Sequence, residues 1–92
     1  MWFLYILRCK DGALYTGVTR DIPRRIREHA GGKGSKYLRS RTPLKLVHSE
    51  SFRRKSSAFK REALIKSWSR AKKLELVHAS MAKASLGKIV AV

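Results

Sequence analysis

The stretch Trp2-Phe3-Leu4-Tyr5-Ile6-Leu7-Arg8-Cys9-Lys10-Asp11-Gly12-Ala13-Leu14-Tyr15-Thr16-Gly17-Val18-Thr19 decides the fold. Residues 2–9 are an apolar run of strand length, suited to a strand buried on both faces. Residues 13–19 are rich in aromatic and β-branched side chains and make a second strand, with Asp11-Gly12 marking the turn. Loop length then sets the register. A two-residue turn opposes Tyr5 to Val18 and Tyr15 to Arg8, so the two phenols fall on opposite faces. A three-residue loop, Lys10-Asp11-Gly12 with Gly12 left-handed, instead pairs Leu7 with Tyr15 and Tyr5 with Gly17. Both phenols then share a face. We prefer this register because Gly17, which otherwise weakens a strand, then leaves open space opposite the Tyr5 ring.

Working outward, Asp21 is a candidate N-cap for a helix over 22–30 that ends at Gly31-Gly32. Residues 31–43 are loop-like, with room for a short helical turn near 35–39. Residues 44–51 set Leu44, Leu46 and His48 against Lys45, Val47 and Ser49, the alternation of a third strand. Ser56 or Ser57 can cap a helix running to about 69, and a shorter helix follows over 70–79. The order ββαβα(α) predicts an α+β fold, a small three-stranded, mainly antiparallel sheet flanked by helices. Residues 1–79 form a single domain and 80–92 a weakly structured C-terminal tail.

Charge is the dominant feature of the composition. Twenty-two Lys and Arg oppose six Asp and Glu among 92 residues, a formal charge of +16. With 43% apolar residues the chain can still build a core, so this is no basic disordered tail. Such a body attracts a polyanion, and nucleic acid ranks before an anionic membrane. Six carboxylates argue against a centre that gathers several of them around paired metals. The lone Cys9 excludes an internal disulfide and a cysteine-rich zinc site, and fits a reducing compartment. The apolar start is too short for a signal peptide or a membrane span, so a cytoplasmic protein is expected.

Direction separates the candidate site residues from the other charges. Ile22 and Ile26 define the buried stripe of the first helix, and Arg25 and His29 fall within ~60° and ~20° of Ile22. Arg24, Arg27 and Glu28 point away. In the later helix the inward stripe runs through Ala58, Phe59 and Ile65, and Glu62 falls inside it. An inward carboxylate is costly unless it is paired or holds a metal. A salt bridge with Arg25 is the plain alternative, yet Mg²⁺ typically takes one or two protein carboxylates plus phosphate oxygens. Equally, Tyr5 and Tyr15 can be ordinary strand aromatics, and Arg25 can lay its stem across the core edge. Seventeen of the 22 cations lie in 20–41 and 53–73. The segment from Gly31 to Tyr37 lacks the phosphate-loop spacing of nucleotide hydrolases. Lys33, Lys36, Tyr37 and Arg39 are instead expected to touch a nucleic-acid strand.

Together these residues resemble the GIY-YIG nuclease domain in its small stand-alone bacterial form. Phe3-Leu4-Tyr5 stands where the family has Gly-Ile-Tyr, and Tyr15-Thr16-Gly17 where it has Tyr-Ile-Gly. Arg25, His29 and Glu62 follow in family order, and Ser49-Glu50-Ser51-Phe52 adds to the likeness, which covers roughly residues 2–78. The first glycine is lost, and the chain has no asparagine, a residue that some members carry late in the domain. The resemblance implies a metal-dependent endonuclease hydrolysing phosphodiester bonds in DNA, structure- rather than sequence-specific, in repair or processing. One Mg²⁺ or Mn²⁺ would sit on Glu62, and Arg25 would stabilise transition-state charge. Tyr5 is the first choice to take the proton of the attacking water, although a free phenol has pKa ~10 and needs help. His29 is the second choice. Tyr15 would orient water or phosphate, and Gly17 would lie on the nucleic-acid side. The alternatives are a catalytically weak or inactive module that grips branched DNA, single-stranded DNA or RNA, and an RNA- or ribosome-associated basic protein, which the composition supports equally.

Overall fold

The computed structural model describes residues 1–31 and 44–91, the last helix beyond Ala82 as backbone only. Its elements are β1 (Trp2–Arg8), β2 (Leu14–Thr19), α1 (Ile22–Ala30), β3 (Lys45–Phe52), α2 (Lys55–Lys66) and α3 (Arg70–Ala91). The sheet order is β2-β1-β3 and both pairings are antiparallel. As the central strand, β1 is buried from both sides, which accounts for its unbroken apolar run. Leu4 and Ile6 join Val47, Ile65 and Val77 in one buried cluster. Tyr5, Leu7 and Cys9 form another, against Tyr15, Ile22 and Ile26.

The hairpin has the three-residue loop. Gly12 is left-handed at φ 85°, and the Cys9 amide donates to the Ala13 carbonyl at 2.9 Å. The register therefore pairs Tyr5 with Gly17 and Leu7 with Tyr15. Asp21 caps α1, its Oδ1 accepting from the Arg24 amide at 3.2 Å. Pro23 falls in the first turn, where a missing N–H removes no helical bond.

Four expectations change. The alternation assigned to the third strand is interrupted by a bulge: Ile6 pairs with His48 but Leu7 with Leu46, so Val47 is the extra residue. Val47 is consequently buried, while Leu46 is 40% exposed. Helix α2 starts ahead of Ser56, with Arg54 at the N-cap and no side-chain cap bond. It stops at Lys66, where the Ser67 hydroxyl donates to the Leu64 carbonyl at 2.6 Å. Phe59, expected in the inward stripe, is 43% exposed, because the buried side of α2 is set by Ala58 and Ile65. Finally, α3 continues past residue 79 to Ala91. Residues 80–91 hold mostly good helix formers, no proline and one glycine, so nothing local stops the helix. Lys33, Lys36, Tyr37 and Arg39, and the helical turn expected near 35–39, lie outside the described residues.

Candidate active site

Tyr5 is the hub of the site. It is almost wholly buried in the middle of β1, and its ring crosses directly over Gly17 of β2. A Cβ at Gly17 would collide with the phenol hydroxyl and stand 2.6 Å from Cζ, so no larger residue fits here without movement. Helix α1 then brings His29 to the phenol, with Nε2 3.0 Å from the Tyr5 hydroxyl oxygen. Tyr15 completes a ring cluster, with centroid distances of 6.4 Å to Tyr5 and 5.4 Å edge-on to His29. The wheel of α1 places Arg25 one turn before His29, close enough for its guanidinium to act on the Tyr5 phenol. Glu28, expected to point away, sits 3.7 Å from Arg25 Nη1.

The electrostatics of this cluster differ from the sequence-based expectation for Tyr5. Burial raises the phenol above its ordinary pKa, and the hydrogen bond and charge of Arg25 oppose that without reversing it. Tyr5 is therefore a neutral phenol at neutral pH, not a ready phenolate. His29 moves the other way. Burial first, and the Arg25 charge second, hold it below the ordinary imidazole value of 6.5, against a pull from Glu28. It is a neutral imidazole able to accept a proton, and its buried Nδ1 has no hydrogen-bond partner among the described residues.

Glu62 approaches from α2. Its charge reaches the phenol and contributes to the raised pKa of Tyr5. Its side chain is 17% exposed and pairs with Lys66, one turn on, at 3.4 Å; Arg25 pairs with Glu28 instead. The sequence offered no way to single out Lys66 and Lys73 among 22 cations. With Leu14, Tyr15 and Thr16 they line a groove of about 300 Å³ beside the edge strand β2. Among the described residues no three of His, Cys, Asp and Glu gather as a metal cluster, so Glu62 would be the protein donor. That donor set suits a hard cation completed by phosphate oxygens and water.

A neutral proton acceptor, a buried phenol, the Arg25 guanidinium and the Glu62 carboxylate can together serve hydrolysis of a phosphodiester. The family model described as the GIY-YIG catalytic domain matches residues 1–75. The chain belongs to the GIY-YIG family, and that domain points to an endonuclease, a phosphodiesterase acting on nucleic acid. It is similar to a UPF0213 protein of Staphylococcus saprophyticus, 52% identical over 75 residues, 82% of this chain and 92% of that one. A UPF0213 protein of Natronomonas pharaonis is 55% identical over 75 residues, 82% and 88% of the respective chains. The solution NMR structure of a UPF0213 protein from Bacillus halodurans is 49% identical, with a TM-score of 0.57 over 86% of this chain and 85% of that one. No helix among the described residues is long and apolar enough to cross a membrane.

Proposed function

We propose that the protein is a metal-dependent endonuclease acting on DNA, structure- rather than sequence-specific, with a role in DNA repair or processing. The observation that carries this reading is the convergence on one phenol: His29 Nε2 at 3.0 Å, Arg25 beside it, and the Glu62 charge within reach. Glu62 would hold one Mg²⁺ or Mn²⁺, which when bound supplies Lewis-acid stabilisation at a phosphate oxygen. Arg25 offsets the negative charge that develops on the phosphorus-bound oxygens. Tyr5 and His29 act as a pair. The phenol accepts the proton of the attacking water while passing its own to His29 Nε2, so no free phenolate is needed. Tyr15 orients the water or phosphate. Gly17 keeps the space that Tyr5 occupies. Lys33, Lys36, Tyr37 and Arg39 add contacts to the strand, and a cytoplasmic location suits the single cysteine.

The test compares wild type with Glu62→Ala on labelled branched, single-stranded and duplex DNA, with Mg²⁺ or Mn²⁺ and with chelator. Wild type is expected to cleave only with metal, and Glu62→Ala to bind as tightly or more tightly without cutting. Wild-type cleavage rates in Glu62→Ala would overturn the metal assignment. Binding without cleavage on every substrate would instead favour an inactive binding module.

A further inference from the structure

Trp2, Arg20, Lys55 and Phe59 gather at one end of the sheet and have no part in the site described above. Trp2 opens β1, Arg20 directly follows β2, Lys55 opens α2, and Phe59 lies one turn further along that helix. The Trp2 and Phe59 ring centroids are 6.4 Å apart, with the planes inclined at 51°. Arg20 Cζ stands 5.4 Å from the Trp2 centroid. Lys55 Nζ stands 5.2 Å from Trp2 and 5.8 Å from Phe59. Neither ring belongs to a buried cluster, and Phe59 is exposed in mid-helix.

One exposed apolar side chain is ordinary on a protein surface. Two aromatic rings bracketed by two exposed cations, on a chain of charge +16, make a more specific combination. Aromatic faces stack on bases while cations hold the adjoining phosphates, and stacking needs no particular sequence. We propose that this patch is a stacking platform for an unpaired base of single-stranded DNA. Duplex DNA keeps its base faces covered and offers only edges and backbone, so the ring selects strands with an unpaired nucleotide. Lys55, on a flexible stem, exchanges the ring for a phosphate when a base stacks.

Location refines the substrate. Phe59 and Glu62 are i, i+3 neighbours on α2, with Cβ atoms roughly 5–6 Å apart. The stacked base therefore lies close to the phosphate that Glu62 serves. A flap, branch or single-strand junction is the matching substrate, which rests on the nuclease reading of Glu62; the platform itself does not.

The test measures binding of the full chain, in chelator, to a short single-stranded oligodeoxynucleotide and to the duplex of the same sequence. Phe59→Ala is expected to weaken single-strand binding about tenfold. Duplex binding should stay within about twofold, since its phosphate contacts remain. Phe59→Leu keeps the apolar bulk against Trp2 but cannot stack, and should lose as much as the alanine variant. Phe59→Trp should restore binding. A 2-aminopurine in the single strand should be quenched by wild type and not by Phe59→Leu. Equal losses on both DNAs, or none, would overturn the platform, as would full single-strand affinity in Phe59→Leu. Because the readout is binding without metal, a protein that never cuts DNA can still show the platform. Conversely, metal-dependent cutting without a Phe59 effect would sink the platform alone.

Discussion

A methyl group on Gly17 would meet Tyr5 Cζ at 2.6 Å, so Gly17→Ala must push the phenol off His29 or bend β2. We expect a stability loss of about 1–3 kcal/mol by urea denaturation. Cleavage should fall by more than that loss explains, because in the proposed mechanism the displaced hydroxyl accepts the proton of the attacking water. Tyr5→Phe separates the two effects. It leaves His29 Nε2 without its partner at a buried position, costing about 1–3 kcal/mol, and should abolish metal-dependent cleavage while DNA binding persists. His29 also predicts a pH dependence. Its folded pKa lies below the ordinary 6.5, so on acidification the unfolded chain takes up the proton first. Stability is therefore full above about pH 6.5 and declines from there down through the folded value. Urea denaturation at a series of pH values should show that decline in wild type, and a flatter profile in His29→Phe.

At the scale of elements, α2 has two neighbours to satisfy. Arg61 donates to Glu50 of β3 through Nε at 3.0 Å and Nη2 at 3.2 Å, and His48 Nε2 lies 2.7 Å from the same carboxylate. Arg61 Cζ also stands 5.3 Å from the Trp68 ring centroid, just past the helix end. This clamp fixes how α2 lies on the sheet, and α2 carries Glu62 in the next position. Burial alone would raise the pKa of Glu50; the hydrogen bonds from Arg61 and His48 outweigh it and lower it. A depressed carboxylate contributes stability above its unfolded value of about 4.5, and loses it as pH falls through the folded pKa. That window lies below the onset of the His29 effect. Glu50→Gln should cost about 1–3 kcal/mol and remove the part of the loss that sets in below about pH 4.5, leaving the His29 decline. A double-mutant cycle with Arg61→Ala should show coupling. Cleavage should fall too, with DNA binding retained, since Glu62 loses its bearing rather than the chain its charge. The likeness of Ser49-Glu50-Ser51-Phe52 to family members was visible in the sequence. The clamp was not, because Glu50 and Arg61 belong to different elements and no periodicity links them.

For the whole molecule, charge sets the grip. If about six phosphates are neutralised, the log–log slope of binding against salt should be about −5, and a flat response would remove the electrostatic basis of DNA binding. The strands, the register of β1 with β2, the Asp21 cap and the inward lean of Arg25 and His29 were legible from the residues. Each depends on alternation, helical spacing or turn chemistry, which are properties of neighbouring positions. The three-residue loop was legible because a glycine in mid-strand needs a reason, and the Tyr5 ring supplies it. Other features lay beyond such signals. The bulge at Val47 reflects the fit of β3 to β1, and the exposure of Phe59 reflects which side of α2 meets the sheet. The hydrogen bond between Tyr5 and His29 joins positions 24 apart, and the proposed mechanism therefore treats the first-choice base as half of a pair. Chain order thus settled which residues could point inward. Packing settled which of them touch, because burial and contact depend on partners that are distant in sequence.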